Sequence, residues 1–235
     1  TIGPPSFGRQ VQQVFCWELR CVSRTPGLRL LLLIAAFSLW WSAASAVTHQ
    51  FSLPSTDLLL HNTGFYFDKA LLAVIVITAA DIIWREQSHH VNELVESLPT
   101  NDTARLASKT LVLMFVVFVF WLIAIGVNLI YQLAKGYYQF ELPLYFVDVF
   151  LFKAPYYLWF AVIAIGANVI IRQRYVAMGV VLLIFASEIV LDAIGFYHPI
   201  YRFGRVSFFW YSLMDGYGHF GRAHAWLVLY WSLGT

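Results

Sequence analysis

Apolar residues run through this chain in long unbroken stretches, and the polar residues are gathered into the gaps between them. Five runs, at 29–47, 66–84, 110–131, 147–171 and 175–195, approach or exceed the length at which a helix crosses a bilayer, about 20 residues. A sixth begins near residue 224 and is cut short by the end of the sequence. Barrel strands need only about 9–11 residues and alternate polar with apolar positions, whereas these runs are apolar on every face. The pattern predicts an all-α fold: a polytopic transmembrane helical bundle with five complete spans and a partial sixth. The chain opens on Thr1 rather than Met and closes inside "AWLVLYWSLGT", so we read 1–235 as one transmembrane domain and as a fragment.

Two polar segments have helical patterning of their own. In 7–24, "FGRQVQQVFCWELRCVSR", Val11, Val14, Phe15, Leu19 and Val22 recur at helical spacing, with Arg9, Gln12, Gln13, Arg20 and Arg24 mostly elsewhere. The segment is too short and too polar to span, and predicts a helix lying in the membrane interface. Pro26 and Gly27 break it before the first crossing. In 85–109, "REQSHHVNELVESLPTNDTARLASK", Val91, Leu94, Val95 and Leu98 fall at i, i+3, i+4 and i+7, one apolar stripe on a short helix. Glu86, His89, His90, Glu93 and Ser97 take much of the remainder, Pro99 stops the helix, and "TND" offers N-cap oxygens to the next one.

Composition supports a lipid-solvated chain. Of 235 residues 60% are hydrophobic, 18% aromatic and only 12% charged, against about 25% charged in a soluble domain. A net charge of +2 with no basic run gives no sign of nucleic-acid binding. Nine of the fifteen basic residues lie in the N-terminal segment, the 85–109 loop and the turn at Arg172 and Arg174. The positive-inside rule puts that side, with the N-terminus, in the cytoplasm. Arg202, Arg205 and Arg222 fall in the opposite, outer stretch 196–223, where they lie among aromatics at headgroup depth. That stretch reads as interfacial helices or a re-entrant cap with Gly204, Gly216, Gly218 and Gly221 as turn points. Cys16 and Cys21, five apart on a helix, point in different directions and predict two free thiols.

Candidate chemistry is sparse. Glu86, His89, His90 and Glu93 have metal-compatible spacing, but a site needs three or four ligands with supporting partners, and solvated polar residues facing a partner fit the pattern better. Glu188 and Asp192 are i, i+4 in the fifth run, where an intramembrane carboxylate costs about 2.5–3.5 kcal/mol unless partnered. Lys153 sits at a similar depth in the fourth run, which predicts a Lys153–Glu188 ion pair with Asp192 nearer the outer surface. No nucleophile–base arrangement stands out, and no G-x-x-x-x-G-K-[ST] occurs, so the chain has no P-loop.

The segment "WREQSHHVNELVESLPTNDTARLASK" resembles the first cytoplasmic loop of type-two ATP-binding cassette exporter permeases, with Arg85, Glu86, Glu93, Leu94, Ser97, Leu98, Pro99, Arg105 and Lys109 at the matching places. The interfacial segment 7–24 resembles that family's connecting helix, and 196–223 its re-entrant hairpin. "MDGYGHF" (214–220) also resembles permeases fused to a zinc aminopeptidase-like domain; no H-E-x-x-H occurs, so such a domain would lie beyond Thr235. The resemblance implies a permease subunit of an ATP-driven exporter in a bacterial inner membrane. It implies a homo- or heterodimer of permeases, with no cofactor in this chain and ATP and Mg held on a partner ATPase. That ATPase would be gripped through 86–98, with Arg85, Glu86, His89, His90, Glu93, Leu94, Leu98 and Pro99 as coupling residues. The competing expectation is an ion-coupled transporter or integral membrane enzyme using Glu188 and Asp192.

Overall fold

The computed structural model describes residues 7–50, 53–88, 101–171, 173–196, 216–218 and 220–234. Their regular elements are helices: α1 (Phe7–Arg24), α2 (Pro26–Gln50), α3 (Thr56–Ser88), α4 (Asp102–Ala134), α5 (Leu142–Phe146), a π-helical turn (Val147–Lys153), α6 (Ala154–Ile170), α7 (Arg174–Ile194) and α8 (Gly221–Gly234). Each of the five apolar runs falls on helix, apart from single residues at the ends of the last two. Among the described residues, three stretches are long and apolar enough to cross a membrane: Pro26–Ser45, Asp102–Ala134 and Leu142–Ile170. α3 has the length at 33 residues, but Asp57, Asp68, Lys69, Asp81, Arg85 and Glu86 dilute its apolar character. In α7 the described stretch Arg174–Ser187 is apolar.

Local chemistry sets the boundaries. α1 stops at Arg24, and α2 starts two residues on, at Pro26. A proline suits the first helical position because its missing N–H would have no partner there. The Thr25 hydroxyl donates to Cys21 O at 3.2 Å, closing the last turn of α1. At the start of α4, Asn101 is extended (φ −77, ψ 127) and its Oδ1 accepts from Thr103 N at 3.1 Å. This is the cap that "TND" predicted. Gly136 ends α4 at φ +75, a left-handed conformation that side chains with a Cβ rarely adopt. Its N–H donates to Leu133 O and that of Tyr137 to Gln132 O, both at 3.0 Å, the paired closure of a Schellman cap.

α3 lies at the centre, packed against α2, α4, α6 and α7. Phe67, Leu71, Ile75, Ala79 and Ile82 descend it at helical spacing and are all fully buried. The Trp121 ring meets Phe67 edge-on at 5.1 Å and Tyr157 at 5.6 Å between centroids. In a lipid-solvated bundle burial from water drives helix association weakly, and packing and interhelical hydrogen bonds matter more. A polar seam supplies these: Asn128 Nδ2 donates to Thr63 Oγ1 at 2.8 Å, and Gln132 Nε2 to Pro54 O at 3.0 Å. α1 lies along the first half of α4, with Phe15 edge-on to Phe115. Its apolar side matches the expected stripe: Val22 is buried, and Phe15 and Leu19 pack on the core. Cys16 and Cys21 are free thiols.

Candidate functional site

The polar loop that interrupts the apolar pattern leaves α3 at Ser88 and enters α4 at Asn101. Both roots are held by charge. Glu86 Oε2 accepts from Arg105 Nη2 at 2.7 Å, and its Oε1 stands 2.8 Å from Lys109 Nζ. Arg105 and Lys109 are four apart on α4, so they lie on one face of its first turns and converge on a single carboxylate. Arg85, the preceding residue, reaches the other way and pairs with Glu18 of α1. Its guanidinium also lies over the Trp17 ring, 5.6 Å from the centroid. Burial draws Arg85 below the usual arginine range, with Glu86 pulling in the opposite direction.

α1 is tied to α4 by more than this. Ser108 Oγ donates to Val11 O at 3.1 Å, and Asn101 N donates to Gln10 Oε1 at 3.4 Å. Glu18 is wholly buried, and a buried carboxylate persists only when paired. Through Glu18–Arg85 and Glu86–Arg105/Lys109, three helices share one charge network at the ends of the loop. Lower on α3, Trp84 Nε1 donates to Asn168 Oδ1 at 3.0 Å, and Asp81 pairs with Arg174. These contacts tie the same end of α3 to α6 and α7.

A second cluster lies toward the other end of α3. Lys153 Nζ stands 2.7 Å from Asp148 Oδ2 and donates to Leu60 O at 3.2 Å. On an α-helix two residues five apart point about 140° away from each other. The π winding of Val147–Lys153 is wider and swings them onto one side. Asp148 Oδ1 accepts from Tyr217 OH at 2.8 Å. Asp68 of α3 has its Oδ1 buried without a hydrogen-bond partner among the described residues. Pro155 lacks the N–H that an α-helical residue would give to the carbonyl four back. That carbonyl, Leu151 O, accepts instead from His224 Nε2 at 2.8 Å, which binds α8 to this turn.

The expected site residues divide among these places. Arg85 and Glu86 are described, and their charges are engaged within the chain. His89, His90, Glu93, Leu94, Leu98 and Pro99 lie outside the described residues, as do 197–215 and His219 of the aromatic stretch. Lys153 pairs with Asp148 on its own element; the side chains of its expected partner Glu188 and of Asp192 lie outside the described residues. Sequence reasoning did not single out Glu18, Asp68, Asp81, Asp148 or Tyr217. A signal existed for Asp68, Asp81 and Asp148, since a carboxylate inside an apolar run demands a partner.

A helical chain with several bilayer-length apolar stretches is a multi-pass membrane protein. Residues 18–188 match the family model of the ABC-2 family transporter proteins, and the chain belongs to that family. It is thereby a membrane transport component of the ABC permease type, without an ATPase site of its own. No curated protein and no solved structure matches the chain.

Proposed function

We propose that the protein is the permease subunit of an ATP-driven exporter in a bacterial inner membrane, and that a separate ATPase works it through residues 86–98. The observation that supports this reading is the network at the loop's two roots. Glu86 is held by Arg105 and Lys109, and Arg85 by Glu18, so α3, α4 and α1 meet the loop as one unit. A push on the loop then moves three helices together instead of bending a tether. A rigid element of this kind is what a gating transition needs to report the state of a soluble partner. The apolar stripe of Val91, Leu94, Val95 and Leu98 would lie against the permease, with His90 and Glu93 offered to the ATPase.

The test is co-expression of the chain with the ABC-type ATPases of the same genome, followed by purification on a tag carried by the permease. The two proteins are expected to elute together, and E93K combined with H90E is expected to release the ATPase while the permease stays folded. Elution of the permease alone from wild-type membranes, or retention of the ATPase by the double variant, contradicts the reading.

A further inference from the structure

We propose that the outward face of α1 is a docking strip for the headgroups of anionic lipids, held by Arg9, Arg20 and Arg24. Lipid docking of this kind is independent of any ATPase and is tested on the permease alone.

A short amphipathic helix ordinarily holds to a bilayer by sinking its apolar side among the lipids. α1 has that side engaged elsewhere. Val22 is buried, Phe15 and Leu19 pack on the core, and Val11 O accepts from the Ser108 hydroxyl of α4 at 3.1 Å. What α1 turns outward is the opposite stripe. Arg9, Gln13, Cys16, Arg20 and Arg24 follow one another at steps of three or four residues and are all exposed, which places them on one face of the helix.

That face is basic without compensation. Glu18 is the single acid among residues 1–56, and it is buried and paired with Arg85. The acids of the helices packed on α1, at the end nearest to it, are directed elsewhere: Glu86 to Arg105 and Lys109, Asp102 to Arg105, and Asp81 to Arg174. α2 has no acid. Among the described residues Arg9, Arg20 and Arg24 take part in no ion pair.

The position of the strip selects lipid as its occupant. α1 passes to α2 through Thr25 alone. Leu30, Leu33 and Ile34, in the first turns of α2, are more than half exposed on a stretch long and apolar enough to cross the bilayer, so lipid bathes them. Arg24, six residues before Leu30, then stands at headgroup level. Arg29 is there too, its Nε donating to Ser23 O at 3.2 Å. Trp17 of α1 is half exposed, an aromatic of the kind enriched where membrane meets water. An arginine beside an anionic surface contributes about a fivefold gain in binding, and its guanidinium can hold two phosphate oxygens at once.

Cys16 lies on this strip as an exposed thiol and reports on it directly. The full chain, with Cys21 changed to serine, is labelled at Cys16 with a fluorophore. It is placed in nanodiscs of phosphatidylcholine and phosphatidylglycerol, one or the other carrying a quenching spin label near the top of its acyl chain. At equal content of labelled lipid, phosphatidylglycerol is expected to quench more strongly, by about fivefold or more. The preference is expected to vanish in R9Q/R20Q/R24Q and to persist in R9K/R20K/R24K, which keeps the charge and so separates its loss from a loss of fold. It is expected to weaken in about 1 M salt, where the screening length falls to about 3 Å. Equal quenching by the two lipids in the wild type, or a preference that survives the glutamine changes, overturns the proposal. So does loss of the preference in the lysine variant, because charge is what the strip supplies. Absence of quenching by either lipid overturns it as well, since the strip would then face water or a protein.

Discussion

Glu86 Oε1 stands 2.8 Å from Lys109 Nζ, across the two roots of the polar loop. Twenty-three positions separate these residues in sequence, and both are buried. With Arg105 on its other oxygen, Glu86 joins the last turns of α3 to the first turns of α4.

Removing one partner of a buried ion pair costs more than the pair contributes, because the survivor is left charged and unpaired. We expect E86A to lower stability by on the order of 3 kcal/mol, the low end of the range for such removals, since Arg105 keeps some exposure. E86Q, which retains two hydrogen-bonding atoms, is expected to cost less. Asp81 and Arg174 form the contrast, being more than a third exposed. D81N should change stability by no more than about 1 kcal/mol. Chemical denaturation of the purified protein in detergent checks the order of the three variants.

The start of α4 depends on Asn101. N101A is expected to cost about 1 kcal/mol and N101G only a few tenths, because both lose the capping oxygen but glycine, with no Cβ, leaves the freed N–H groups of the first turn open to water. Amide exchange at Thr103 should quicken in both variants, and at Ala104 and Arg105 more in N101A than in N101G.

His224 and Pro155 form a pair that a double-mutant cycle resolves. With Pro155 present, H224F leaves Leu151 O without its donor, at a cost of about 1 kcal/mol. P155A restores a backbone N–H that can reach the same carbonyl, so H224F should cost less in the P155A background. Equal costs in both backgrounds would mean that His224 does not substitute for the missing backbone bond.

The helices were legible because lipid demands long apolar runs, and no other reading fits 110–131 or 147–171. The limits of α1 were legible too, from the stripe Val11 to Val22 and the break at Pro26. The Asn101 cap was readable from "TND". The charge pairing was not. Asp148 and Lys153 are five apart, a spacing that separates them on an α-helix, and only the π turn brings them together. Glu18 sits among polar residues on an amphipathic helix, so nothing in the pattern marks it as buried. Its partner Arg85 lies 67 positions away, and no local periodicity reports such a contact. Pro155 was the one local sign that the winding near Lys153 departs from an α-helix.

The central claim is that the loop between Ser88 and Asn101 faces the cytoplasm as a handle for another protein. The direct measurement is labelling of a cysteine placed at His90, in a chain whose Cys16 and Cys21 are changed to serine, with a membrane-impermeant maleimide. The account predicts no labelling in intact cells and full labelling in inside-out vesicles. Labelling from the outside of intact cells, or none from either side, would contradict it.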